Sequence, residues 1–158
     1  MKAATVSEIK KELKYRSSDE LEQLCLRLAR FKIENKELLT YLLFEAQDEE
    51  IFIRGVKEEI DQLFETINTA SYFYIKKTVR KILRKVKKYI RYSPHKETEV
   101  ELLLYFCEKL KDFTPSIKRN VTLTNLYLRQ LEFIKKKIPK LHEDLQHDYE
   151  IELEALQL

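Results

Sequence analysis

Two histidines near the end of the sequence, His142 and His147, are candidate metal ligands. Zinc proteases of the HExxH type place two histidines four residues apart, so that both imidazoles lie on one helix face. These two are five residues apart, which separates them by about 140° around a helix. His147 with Glu143 or Asp144 is a weaker alternative. The spacing therefore favours a solvated acidic tail without a metal ion.

Two cysteines, Cys25 and Cys107, are candidate nucleophiles or redox groups. Each lies in an apolar helical stretch, where cysteine ordinarily acts as a small buried hydrophobe. We therefore predict that both thiols are buried and unreactive. Cysteine use of this kind is typical of a reducing compartment, so the expected location is the cytoplasm.

The chain has a single glycine, Gly55, and this scarcity of glycine excludes several classes of enzyme. Phosphate-binding loops and dinucleotide-binding turns each need several glycines. The adjacent glutamates of the chain lie on polar faces, where shifted pKa values are not expected. We therefore expect no catalysis and no cofactor. Two interpretations of Gly55 are open. It allows another helix or a partner to approach closely, or it is a neutral substitution.

A run of positive charge is the one feature that points to a function. Residues 66–96 include ten basic residues and no acidic one. On a helical wheel the basic side chains fall on one side, opposite an apolar stripe. Nine of them lie on one predicted helix and are the candidate partner-binding residues: Lys76, Lys77, Arg80, Lys81, Arg84, Lys85, Lys87, Lys88 and Arg91.

The chemistry of this helix allows four interpretations. An acidic protein surface, the phosphates of a nucleic acid and an anionic membrane would each bind it. Nucleic-acid binding would be independent of sequence and sensitive to salt. Membrane binding is disfavoured because the apolar stripe is typical of an ordinary core. In the fourth interpretation the helix is solvated and partly neutralised by acids of the flanking helices: Glu58, Glu59, Asp61, Glu65, Glu97, Glu99 and Glu101.

The elements that carry these residues are predicted to be helical throughout. One glycine and three prolines in 158 residues leave few signals for strands or hairpins. Start and stop signals divide the chain into seven or eight helices, which we predict at 7–15, 17–33, 36–46, 48–67, 72–92, 94–112, 115–138 and 140–156.

Particular residues set the predicted helix starts. Ser17 and Glu20 have the spacing of a capping box, and Asn35 is a candidate cap for the next helix. Ser93-Pro94 and Thr114-Pro115 each combine a capping hydroxyl with a proline suited to the first helical position. Acidic residues 48–50 favour a helix start because the helix dipole attracts negative charge there.

The width of each apolar face predicts which helices are central. Apolar residues surround most of the helices at 36–46 and 100–110, whereas the helices between them have a single stripe. Broad and narrow helices in alternation predict antiparallel hairpins stacked in two layers. Such a stack is either an irregular α-solenoid-like array or a compact helical bundle. We predict one all-α domain over residues 1–158.

The predicted function is therefore that of a non-enzymatic interaction module. It would bind a protein partner with an acidic surface through the basic helix and an adjacent groove, with nucleic acid as the alternative. The sequence does not determine the oligomeric state, although apolar residues of the acidic C-terminal end could dock on a second copy: Ile151, Leu153, Leu156 and Leu158.

Overall fold

Eight α-helices and no β-strand form the structure, a computed structural model that describes residues 1–158. The predicted all-α fold class is confirmed. The helices fall into two compact units, Met1–Glu45 and Ala46–Leu158. That the whole chain forms one domain stays a prediction.

The first unit has three helices, named α1 (Val6–Leu13), α2 (Ser18–Phe31) and α3 (Ile33–Thr40). A π-helical turn, Tyr41–Glu45, follows α3. The capping box predicted at the start of α2 is confirmed, because Ser17 and Glu20 satisfy each other's backbone N–H groups at 3.1 and 3.2 Å. An unpredicted second box, formed by Thr5 and Glu8, opens α1.

Three predictions about this first unit are wrong. The helix predicted at 36–46 is not central, because only Tyr41 is buried among residues 1–45. Asn35 does not cap a helix; it lies within α3, and its side-chain amide donates to the Leu28 carbonyl at 2.8 Å. Cys25 is exposed. The apolar pattern of this unit thus marks surface rather than core.

The second unit has five helices: α4 (Glu49–Glu65), α5 (Tyr72–Ile90), α6 (Lys96–Lys111), α7 (Val121–Lys137) and α8 (Glu143–Ala155). The helix α6 packs against each of the other four. Its run of apolar residues from Leu102 to Leu104 is almost fully buried, together with Phe106 and Cys107. The prediction that this helix is central is therefore confirmed.

Neither of the hydroxyls predicted to cap a helix before a proline does so. The helix α6 begins two residues after Pro94, with His95 as its N-cap residue. Ser93 does not cap it, because its hydroxyl donates to the Glu49 carboxylate and accepts the His95 backbone N–H. After Pro115 the chain forms a short 3-10 turn, Ile117–Arg119, before α7 begins.

Side chains of α6 and α7 hold the end of α8. The Lys111 ammonium donates to the carbonyls of Ala155 and Gln157, at 2.7 and 3.1 Å. Tyr127 donates its hydroxyl to the carbonyl of Leu156. Two of the four apolar residues expected to meet a second copy, Leu153 and Leu156, are consequently buried within this unit.

No residue of the chain has a left-handed backbone conformation, the only glycine included. Helices commonly end on a left-handed residue that satisfies their last carbonyls. Here the helices of the second unit end in right-handed residues instead, such as Thr66 after α4 and Arg91 after α5.

Candidate interaction surface on α5

The helix α5 separates apolar and basic side chains on opposite sides. Its buried stripe faces α4 and α6, and consists of Ile75, Val79, Ile82, Leu83 and Val86. Six of the nine candidate residues are exposed and form what we call the basic face: Lys77, Arg80, Lys81, Arg84, Lys87 and Arg91.

The other three candidates, Lys76, Lys85 and Lys88, are half-buried at the margins. Lys85 forms an ion pair with Glu59 of α4. The Lys88 ammonium lies 4.9 Å from the centre of the Tyr89 ring, within the range of a cation–π contact. Lys85 and Lys88 therefore make contacts within the fold.

Three of the seven acids expected to neutralise α5 pair with cations of other helices. Asp61 pairs with Lys109 at 2.8 Å, Glu101 with Lys57 at 2.7 Å, and Glu99 with Lys137 at 3.0 Å. Among the seven acids considered, only Glu59 pairs with a lysine of α5. The pair of Lys85 with Glu59 agrees with the expected partial neutralisation of α5, whereas no carboxylate lies within ion-pair distance of the basic face.

The unneutralised face opposes the folding of α5. Lys77 and Lys81, Arg80 and Arg84, and Lys87 and Arg91 are spaced i, i+4 along the helix. Like charges at this spacing each cost a few tenths of a kcal/mol at low salt. A bound anionic surface would remove this repulsion.

An open groove of about 610 Å³ lies within the basic face, because Lys77, Arg80, Arg84 and Lys87 are part of its lining. Phe73 and Leu83 give it an apolar lining, and the stems of Lys76, Arg80 and Lys87 contribute further methylene groups. Phe73 is 67% exposed and packs edge-on against Tyr74 at 5.4 Å between ring centres. The groove thus combines an accessible aromatic ring with positive charge.

The helix α7 extends this surface through Phe133. The ring centre of Phe133 lies 6.0 Å from the Lys87 ammonium and 4.8 Å from that of Lys137. Arg129 and Lys136 are also exposed, and their i−4 and i+3 spacing puts them on the same side of α7 as Phe133. Sequence reasoning missed this extension, although residues 114–140 include seven basic residues and one acidic residue.

The remaining candidates from the sequence do not form a site together. His142 is the N-cap residue of α8, where its Nδ1 accepts the Asp144 backbone N–H at 3.3 Å. No group of three His, Cys, Asp or Glu side chains is arranged to hold a metal ion. Burial raises the pKa of the Cys107 thiol to about 12, so the thiolate is scarce at neutral pH.

A second, acidic cleft of about 280 Å³ lies among α4, α6 and α8. Its lining includes Glu101, Glu108, Asp148 and Glu152 with a single cation, Lys57. Burial, followed by repulsion from Glu101, raises the pKa of Glu152. The same two causes raise the pKa of Tyr149 to about 12. The cleft therefore disfavours the ionised form of Glu152.

No family model matches this chain, and neither a curated protein nor a solved structure shows significant similarity to it. None of its helices combines the length and the apolar character that crossing a lipid bilayer requires.

Proposed function

We propose that this protein is a non-enzymatic interaction module of the cytoplasm, which binds an acidic protein surface through the basic face and its groove. A partner helix or segment with carboxylates beside an apolar side chain fits this chemistry. The carboxylates would pair with Arg80, Arg84 and their neighbours, while the apolar side chain would contact Phe73.

One observation carries the proposal, namely that the basic face has no acidic counterpart within the fold. The acids of α4 and α6 pair with Lys57, Lys85, Lys109 and Lys137 instead. An exposed aromatic ring beside arginines is also a typical centre of a protein interface. Two unpaired cysteines support the cytoplasmic location.

Sequence-independent binding of nucleic acid is the second candidate, and the exposed pair of Phe73 and Tyr74 favours it. Bases of a single strand stack on exposed aromatic rings while cations follow the phosphates. The two rings lie at the N-terminal end of α5, next to Lys77. The extension through Arg129 and Lys136 would lengthen the path of positive charge.

A pair of charge-matched variants tests the proposal. The first changes Lys77, Arg80, Lys81 and Arg84 to Gln, which removes the centre of the basic face. The control changes four exposed cations elsewhere in the second unit to Gln: Lys118, Arg119, Lys135 and Lys140. Each variant loses four positive charges, so a difference between them reports position rather than net charge. The first variant also loses repulsion within α5, and we expect it to stay folded.

Each protein is titrated with a synthetic Glu- and Leu-rich amphipathic peptide, with single-stranded and duplex DNA, and with RNA, at low and moderate salt. The acidic-partner proposal expects peptide binding that the control variant keeps and the first variant loses. Nucleic-acid binding with the same dependence, and no peptide binding, would support the second candidate instead. Equal binding by both variants would contradict a role for the basic face in either function.

A further inference from the structure

We infer that the acidic partner of the basic face is a second copy of this chain, which presents its helix α8 to α5. The inference rests on the proposed function, because it identifies what the basic face and its groove would bind. It begins from the charge of α8, the one helix of the fold without a lysine or arginine. Residues 141–158 include six acidic residues and no lysine or arginine.

The exposed side of α8 combines carboxylates with an apolar side chain. Ile151 is 53% exposed. Asp144 and Asp148 precede it by seven and three residues, which puts all three on one side of the helix, and both aspartates are exposed. Asp144 pairs with His142 alone, and Asp148 forms no ion pair. We call Asp144, Asp148 and Ile151 the acidic face.

The basic face and the acidic face of one chain do not meet. Both α5 and α8 pack against α6. Each helix buries one side in the core of the second unit, with Ile75 and Val79 on α5 and Leu153 on α8. The basic face and the acidic face lie on the exposed sides of their helices. A second copy is therefore needed to bring them together, in a contact between two different surfaces.

An antiparallel pairing of the two helices matches apolar and charged groups at the same time. When Ile151 lies opposite Phe73 of the second copy, Asp144 lies opposite Arg80. The match follows because each charged residue is seven residues from the apolar residue of its own helix. Phe73 is 67% exposed and lines the groove, so the pairing covers two accessible apolar side chains.

A second charge pair follows from the same register. Lys77 comes four residues after Phe73, a rotation of about 40° around α5, and Asp148 precedes Ile151 by three residues, a rotation of about 60° in the same sense around α8. In an antiparallel pair, residues rotated in the same sense lie on the same flank. Lys77 and Asp148 also differ in height by one residue, about 1.5 Å. They therefore lie side by side.

A parallel pairing does not give these matches. With Ile151 opposite Phe73, both aspartates would then lie opposite residues 66–70, before the start of α5. Those residues include no lysine or arginine. The antiparallel pairing also opposes the two helix dipoles favourably. The complementarity therefore selects one orientation.

Charge reversal on α5 tests this register. Arg80→Glu places a carboxylate opposite Asp144 of the second copy and should weaken self-association about tenfold, since attraction becomes repulsion. Its matched control, Arg91→Glu, makes the same charge change on the same face of α5. Arg91 lies ten residues beyond the position opposite the start of α8, about 15 Å along the helix. The control should therefore weaken self-association much less.

Charge reversal on α8 tests the other half of the contact. Asp144→Arg should weaken self-association as Arg80→Glu does. Glu150→Arg is its matched control, because Glu150 is exposed but lies about 100° around α8 from Ile151. The double variant, with both Arg80→Glu and Asp144→Arg, restores the pair with its charges exchanged. It should regain most of the association that either single variant loses.

Sedimentation velocity measures self-association from low micromolar to several hundred micromolar protein, at low and moderate salt. The wild type should associate at low salt and less at moderate salt, because charge pairs contribute to the contact. Circular dichroism checks that every variant keeps the helix content of the wild type. A wild type that stays monomeric at low salt would overturn the inference. Equal weakening by Arg80→Glu and Arg91→Glu, or no recovery in the double variant, would do so as well.

Titration with the Glu- and Leu-rich peptide separates this inference from the proposed function. The peptide should compete with self-association, because both would occupy the basic face. A wild type that binds the peptide yet stays monomeric would overturn the second copy as partner and leave the proposed function standing. A wild type that neither binds the peptide nor self-associates would contradict both.

Discussion

Leucines from two similar apolar runs should differ greatly in their contribution to stability. Leu103 lies in the run of α6 and is 1% exposed, whereas Leu42 lies in the run after α3 and is 55% exposed. Replacing a buried leucine by alanine removes the transfer free energy of its side chain and leaves a cavity. We therefore expect Leu103→Ala to lower the free energy of unfolding by about 2–5 kcal/mol.

Leu42→Ala should have a much smaller effect. Its side chain is covered over less than half of its surface, and removal at an exposed position leaves no enclosed cavity. Because full burial of a leucine contributes roughly 1.5–3 kcal/mol, the partial cover of Leu42 makes the expected loss roughly 0.7–1.4 kcal/mol. The two substitutions delete the same atoms, so only burial distinguishes them.

Urea unfolding followed by far-ultraviolet circular dichroism measures both variants. The slope of the free energy against urea should match the wild type, which shows that the midpoints report stability. A loss of more than about 2 kcal/mol for Leu42→Ala, or a loss of similar size for the two variants, would refute the burial argument.

Two further predictions concern α4 and α8. Glu152→Gln should raise the melting temperature at neutral pH, because a carboxyl whose pKa is raised by folding destabilises the folded state when it is ionised. This gain in melting temperature should shrink as the pH falls through the folded pKa of Glu152 towards 4.5, because the carboxyl then becomes protonated in both the folded and the unfolded state. A gain that persists in acid would contradict an origin in the ionised carboxyl. Gly55→Ala should stabilise the chain by about 0.5–1 kcal/mol in urea unfolding, since Gly55 lies within α4 and a Cβ there would meet nothing within 4 Å. A loss of stability would instead indicate that a neighbour occupies that space.

Local signals predicted the helices well because they act over a few residues. The capping box of Ser17 and Glu20 requires only atoms three residues apart, and the first-turn acids of α4 act through its own dipole. The Ser93-Pro94 pair failed for a reason that the local sequence does not contain. Its hydroxyl donates to Glu49, which is 44 residues away along the chain.

The sequence predicted burial correctly only for apolar runs that other helices cover in the structure. The runs around Leu42 and Leu103 look alike in sequence, because a periodic pattern records which side is apolar and not what covers it. The same limit explains Cys25, which is apolar in its surroundings yet exposed.

The sequence predicted which segments carry opposite charges, but it did not predict which residues form ion pairs. Counts along the chain correctly assign acidic segments beside α5, yet Asp61 and Glu101 reach Lys109 and Lys57 instead. Their geometry depends on how α4 packs on α6, which a one-dimensional count does not contain. The nine candidate residues of α5 were identified from the sequence, whereas the extension through Phe133 was found only from the packing of α7.

The absence of left-handed residues makes this backbone unusually permissive to replacement. No φ angle lies in the left-handed region that favours glycine. Exchanging loop residues such as Thr69 or Asp112 for alanine therefore imposes no conformational penalty of its own. A systematic alanine scan of this chain would therefore meet no position at which a left-handed backbone disfavours alanine.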